Sequence, residues 1–210
     1  MTRLGGLLVR RECWTLSLPG KLLVVSLAGI SAFSGIFEAY PFLAVNHPIP
    51  ANVLVVEGWI RTYTLSQVAD EFKRGHYQRL LFVRSLDIDE YEYETGRATL
   101  LKYGVPADSL DTLYYPVVRK DRTYHTALAV KNWLAKHELS LASVNVVTVG
   151  PHARRSRLTF EKTFGTPVGI IALDDEAYDS RHWWRTSEGV REVIGETIAY
   201  TYAKFFFVWN

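Results

Sequence analysis

The nine residues VGPHARRSR, 149–157, put one His and three Arg where an apolar run, SVNVVTV, gives way to a helix-like run, LTFEKTFG. If a strand ends there and a helix opens near Ala153, the free N–H groups of its first turn and the positive end of its dipole favour an anion. Arg154, Arg155 and Arg157 add fixed charge, and a guanidinium fork pairs well with phosphate or carboxylate. Basic side chains at a helix N-terminus oppose the dipole, so structure alone would place Asp or Glu there. That local conflict points to function. Helical neighbours point about 100° apart, so Arg154 and Arg157 share a face and Arg155 points elsewhere. The expectation is that Arg154, Arg155 and Arg157, with Ser85, Thr123, Gly150 and the helix N-terminus, hold an anion, Arg154 and Arg157 from one face. The alternative has one Arg paired to an acidic loop and the others solvated.

His152 stands at the mouth of this site, as a proton donor or a hydrogen-bond donor to phosphate, or simply as a polar turn residue. Glu57 directly follows the apolar run VLVV, where a carboxylate needs a partner. It suits a general base, a cation ligand or an ion pair with an Arg. Arg84-Ser85 and KDRTYHTA (120–127) close two further apolar runs, with Thr123 as a helix N-cap. A metal site from Glu57, Asp121, His125 and His152 lacks HxxxH or HxH spacing, so no metal is expected. No GxSxG, P-loop or GxGxxG occurs. The acidic stretch DIDEYEYE (87–94) departs from the EF-hand pattern and reads as a solvated loop and helix start.

These residues need a frame that brings them together. Apolar, β-branched runs at 53–59, 79–85, 112–118, 144–150 and 167–174 alternate with helical patterns near 64–75, 90–103, 123–138 and 153–164, and a last one spans 183–206. Gly75 and Gly104 fall at helix C-terminal caps, and Pro106 follows the second. Such alternation predicts an α/β domain: a Rossmann-like, doubly wound, mainly parallel five-stranded sheet covered on both faces. Ligands then collect outside the C-terminal strand ends, where the strand order switches. Every residue singled out above lies at such an end. The final helix closes on Tyr200, Tyr202, Phe205, Phe206, Phe207 and Trp209, read chiefly as core, although FFFVW also suits a bilayer interface.

The formal net charge is +2, and it is N-terminal. Residues 1–45 carry Arg3, Arg10, Arg11 and Lys21 against Glu12 and Glu38, which leaves 20 basic and 20 acidic side chains beyond them. A neutral main domain argues against nucleic acid as partner. Apolar content of 48% allows a sizeable core. Leu22–Phe37 has no charge, and residues 22–45 are long enough to cross a bilayer core of about 30 Å, with Tyr40 and Phe42 suited to the interface. This predicts one transmembrane anchor at 22–45 after a basic segment at 1–21, a linker at 46–52 and an α/β domain at 53–210. The rival reading is a cleaved signal peptide. The positive-inside rule puts the N-terminus in the cytoplasm and the main domain outside the inner membrane. The single cysteine, Cys13, then falls on the reducing side. Ala28, Ser31, Ala32 and Gly35 have the spacing for close helix packing, which would allow a homodimer.

Four stretches together resemble the YdcF-like domain family of envelope proteins over about Val53 to Phe206: VLVVEGW, the helix ending YGVP (103–106), RTYHTALAV (122–130) and, most specifically, VTVGPHARRS (147–156). The resemblance implies a Rossmann-like fold with a pocket at the strand ends. It places polar pocket positions on Glu57, Ser85, Glu92 or Glu94, Thr123, His152 and Arg155. The sequence departs from the family where Glu57-Gly58-Trp59 replaces a Gly-rich turn and where Thr123 is followed by Tyr124, His125 and Thr126 rather than by the usual Asn. Members are linked to envelope integrity, lipid-carrier metabolism and, in one case, S-adenosylmethionine. The expectation drawn from residues and resemblance is a phosphorylated envelope metabolite or lipid-carrier headgroup as ligand. The alternatives are a non-catalytic ligand-binding scaffold and a nucleotide- or S-adenosylmethionine-dependent enzyme, with Asp87 as ribose contact.

Overall fold

Val53–Glu57 (β1) and Arg79–Ser85 (β2) show how the sequence builds the sheet. Side chains alternate across a strand, so Leu54, Val56, Leu80 and Phe82 enter one apolar cluster while Val53, Val55, Leu81 and Val83 enter another on the opposite face. Both faces are apolar because both are covered, which requires helical crossovers between parallel strands. The structure, a computed structural model, describes residues 16–86, 90–141 and 143–209, with backbone alone at residue 32 and at 90–94. Arg3, Arg10, Arg11, Glu12, Cys13, Asp87 and the side chains of Glu92 and Glu94 lie outside the described residues.

The remaining strands are Leu110–Tyr115 (β3), Val144–Val149 (β4) and Gly169–Leu173 (β5). All pairings are parallel, and the order is β3-β2-β1-β4-β5. The chain steps from β1 outward to β3, then crosses back to place β4 on the other side of β1. The strand order therefore switches between β1 and β4, and the expected Rossmann-like α/β fold is present. Pro116 explains why β3 stops earlier than its hydropathy suggested: a proline cannot donate to the ladder.

The helices are Leu18–Leu43 (α1), Leu65–Arg74 (α2), Glu90–Lys102 (α3), Arg122–Lys136 (α4), Ala153–Phe164 (α5) and Ser187–Phe205 (α6). The last helical stretch is not continuous. A 3₁₀ turn, Ser180–Arg185, precedes α6. Thr186 breaks the run by acting as N-cap, its hydroxyl accepting from the Gly189 N–H at 3.2 Å.

The chain divides into two units, Met1–Phe37 and Glu38–Asn210. In the first, α1 is long and apolar enough to cross a membrane, and Leu22, Val25, Ile30 and Phe33 are all exposed. The second unit begins inside α1, close to Pro41, which lacks the N–H that would have bonded the Phe37 carbonyl. The expected anchor at 22–45 is thus too long at its C-terminal end. Tyr40 and Leu43 are buried with Tyr178, Trp183 and Val193 rather than placed in an interfacial belt. The stretch 46–52 is not a free linker either. His47 pairs antiparallel with Ile170, and Asn145 grips both backbone groups of Ile49 at 3.0 and 2.9 Å. Asn145 lies buried in β4, so these bonds, with one to the Tyr77 hydroxyl at 2.7 Å, satisfy an amide that would otherwise be costly there.

Candidate anion-binding site

At the C-terminal ends of β1, β2, β3 and β4 lies a cavity of about 600 Å³, closed on the other side by α6 and the C-terminal segment. β1 delivers Glu57, which is 1% exposed. The chain then turns sharply, with the Ile60 N–H bonded to the Glu57 carbonyl at 3.1 Å. β2 delivers Arg84 and Ser85, both buried. The loop after β3 brings Arg119, Lys120, Asp121 and Arg122, and α4 brings Thr123. After β4 a 3₁₀ turn, Gly150–His152, leads into α5 and sets His152 and Arg155 on the cavity wall.

His152 is the hub. Its Nδ1 lies 2.8 Å from Glu196 Oε1, and its Nε2 lies 3.5 Å from Glu57 Oε2. Glu57 Oε2 also accepts from the Ser156 hydroxyl at 2.7 Å. Arg155 grips Glu196 through Nε at 2.8 Å and Nη2 at 2.9 Å, and donates through Nη1 to Thr123 Oγ1 at 3.0 Å. The Trp59 ring packs edge-on against the imidazole, 4.6 Å between centroids.

Two carboxylates flanking one imidazole fix its charge. Burial and the Arg155 charge push the His152 pKa down, but Glu57 and Glu196 outweigh them and it ends above the usual histidine value. Burial pushes Glu57 up, yet the His152 charge and hydrogen bonds from His152 and Ser156 bring it below the carboxylate range. Glu196 is likewise depressed: burial opposes, and His152 and Arg155 prevail. The two carboxylates beside its ring nitrogens favour the protonated form, while Arg155 Nη2, 2.9 Å from the same Nδ1, opposes it. An ionised Glu57 locked beside a cation is a poor general base. Of the readings open to Glu57, the geometry shows an ion-pair contact, made with His152 rather than with an arginine.

The three arginines separate. His152, Arg155 and Thr159 share the helix face that lines the cavity. Arg154 lies on another face, where its guanidinium covers the Phe42 ring at 3.9 Å and its Nε donates to the Phe42 carbonyl. Arg157 pairs with Glu161 one turn on, at 2.9 Å. Of the three expected arginines, Arg155 lines the cavity and Arg154 and Arg157 do not. The two do share a face, but the strand-to-helix turn aims that face away from the sheet edge. Gly150 also leaves the site. It takes φ 46°, and a Cβ there would meet the Tyr40 hydroxyl at 3.0 Å, so the glycine serves packing. Thr123 is not the N-cap of α4: Asp121 holds that position with φ 58°. His125 stacks on Tyr115 and is absent from the cavity lining. Among the described residues no three His, Cys, Asp or Glu side chains converge as metal ligands.

Ser85 keeps its expected place and adds an observation. Its Oγ is buried at the cavity with no hydrogen-bond partner among the described residues, and the same holds for Glu57 Oε1. Among the described lining residues, Arg84, Arg119, Lys120, Arg122, Arg155 and Arg191 face Glu57, Asp121, Glu192 and Glu196, so six fixed cations outnumber four carboxylates before His152 is counted.

Sequence reading missed Glu196, which closes the His152–Arg155 network. A signal was present. Glu192, Gly195, Glu196, Ala199 and Ala203 recur at helical spacing, a stripe of small and acidic residues that leaves room along one face of α6. The aromatic tail was taken mainly as core, but Phe205 and Phe206 are exposed while Phe207 and Trp209 line the cavity.

The chain matches no family model, no curated protein and no solved structure. The YdcF-like resemblance rests on its motifs alone.

Proposed function

We propose that this is a single-pass membrane protein of the YdcF-like type, with its α/β domain outside the cytoplasmic membrane. In this reading it binds a phosphorylated envelope metabolite or lipid-carrier headgroup and supports cell-envelope or surface-polysaccharide biogenesis. One observation carries the ligand class: buried Arg84 and half-buried Arg155 and His152 share one cavity with a buried Ser85 hydroxyl that has no partner among the described residues. Cations set at a protected strand end bind phosphate oxygens strongly, and an unpaired buried hydroxyl is a donor waiting for an acceptor. Where chemistry follows binding, a ligand oxygen that displaces the long Glu57 contact at Nε2, 3.5 Å, takes a proton from His152, with Glu196 on Nδ1 supporting its charge.

The test is thermal unfolding of the full chain in detergent, with inorganic phosphate and with a long-chain alkyl phosphate. Saturating ligand at one hundred times Kd stabilises by about 2.7 kcal/mol. Ser85→Ala removes an unsatisfied buried hydroxyl, so unliganded stability stays level or rises while the ligand-induced shift falls. A chain that shows no saturable shift with either phosphate overturns the reading. Loss of turnover in His152→Ala with binding retained marks an enzyme, whereas retained function marks a binding scaffold.

A further inference from the structure

The C-terminal segment has two sides. Phe207 and Trp209 turn inward, line the cavity and pack on Tyr124, with ring centroids 5.4 and 6.2 Å away. Phe205, Phe206 and Val208 turn outward and are 68%, 69% and 73% exposed. Further back on α6, Ile194, Ile198 and Tyr202 are exposed too. Ile194, Ile198 and Phe205 are spaced to continue the same helix face. A soluble surface rarely leaves so many large apolar side chains contiguous without an occupant.

The neighbours of this face say what the occupant is. Tyr200 of α6 meets the Phe42 ring, 5.8 Å between centroids. Phe42 lies five residues beyond Phe37, the last residue of the apolar unit, and both belong to α1. Lys204 stands among the aromatics, its Nζ 5.6 Å from the Tyr200 ring and 5.4 Å from the Phe205 ring, and Arg154 covers Phe42. Exposed aromatics interleaved with Lys and Arg, in a chain whose α1 is able to span a membrane, have the composition of a bilayer interface.

We infer that the outward side of Tyr202–Val208 docks on the surface of the bilayer that α1 enters, so that the cavity walled by Phe207 and Trp209 opens at lipid headgroup level. This rests on the anion-site reading for what enters the cavity and deepens it: the ligand is an amphiphile whose phosphate sits by Arg155 and Ser85 while its chain leaves across the aromatic rim. A freely soluble phosphate metabolite needs no such rim.

The experiment uses the full chain in phosphatidylethanolamine–phosphatidylglycerol vesicles. Cys13 is replaced by Ser, and a bimane label is placed at Phe205→Cys or, as control, at Lys136→Cys, an exposed site at the far end of α4. Brominated lipid should quench the label at 205 several-fold more than the label at 136. Equal quenching overturns the docking. So does efficient 205-to-205 crosslinking between copies with no quenching, which would make this face a dimer interface. Phe205→Asp with Phe206→Asp should keep the stabilisation by inorganic phosphate but weaken capture of a long-chain alkyl phosphate presented in vesicles. Unaltered capture counts against the inference. Loss of the inorganic phosphate response in the unmodified chain instead removes the anion-site reading beneath it, so the two failures are distinguishable.

Discussion

His152 Nδ1 and Glu196 Oε1, 44 residues apart, meet at 2.8 Å, and this contact ties the turn after β4 to the final helix. Arg155 donates to both oxygens of the same carboxylate. Glu196→Gln leaves two cations facing each other without their shared anion. Breaking one partner out of a buried network costs about 3 kcal/mol, which lowers the melting temperature of a chain this size by roughly 9 °C. The His152 pKa should fall, as followed by the imidazole proton resonances. An unshifted His152 in Glu196→Gln would show that Glu57 alone sets its charge.

Stability should depend on pH from two directions. The raised His152 pKa contributes stability fully below the ordinary histidine value of about 6.5 and loses it as pH rises through the folded value. The depressed Glu57 and Glu196 pKa values contribute above the ordinary glutamate value of about 4.3 and lose it as pH falls through the folded values. The network is strongest between those limits. Melting curves of the full chain should therefore decline on the alkaline side, and His152→Gln should flatten that decline. Parallel pH profiles for the two proteins would refute the linkage.

The strand-end rule finds most of the residues that line this cavity. Continuous apolar runs such as VLVV and VNVVTV have a single stable use in a chain of this size, the interior of a parallel sheet, and the residues just after them line the cavity. Glu57, Ser85, Thr123, His152 and Arg155 were legible for that reason. Which arginine faces inward was not, because it depends on the rotation at which α5 leaves the Gly150–His152 turn, a tertiary property that spacing does not encode. Glu196 was missed for a related reason: the small and acidic stripe marks an open face of α6, but spacing does not say that this face folds back over the strand ends. Tyr40 was misplaced because an apolar helix end reads the same whether lipid or a domain core receives it.

Gly58 sits where the turn after β1 passes β2. Its N–H bonds the Val83 carbonyl at 2.8 Å, and a Cβ there would overlap the Arg84 side chain and lie 2.6 Å from that carbonyl oxygen. The carbonyl is held in the sheet, so Arg84 must give way. Gly58→Ala should cost about 2 kcal/mol through overpacking and swing Arg84 out of the cavity. A hydrogen bond to a charged group contributes roughly 1.5–3 kcal/mol, so alkyl phosphate affinity should drop by one to two orders of magnitude. Calorimetric titration of folded Gly58→Ala checks this, and unchanged affinity would exclude Arg84 from the ligand.

The three neighbouring arginines give the sharpest comparison, because they share a segment and a charge and differ only in direction. Arg155→Ala removes bonds to Glu196 and Thr123 together and opens the cavity wall, so both stability and phosphate binding should fall, the former by about 3 kcal/mol. Arg157→Ala removes one half-buried i,i+4 pair with Glu161, worth about 0.3–0.5 kcal/mol, and should leave binding intact. Arg154→Ala removes a cation from the Phe42 ring, worth about 0.5–1 kcal/mol, and should leave binding of inorganic phosphate unchanged while weakening association with anionic vesicles. Titrating the three variants side by side with inorganic phosphate decides the matter. A loss of binding in Arg157→Ala equal to that in Arg155→Ala would mean the ligand sits on the outer face of α5, and the cavity at the strand ends would lose its claim to it.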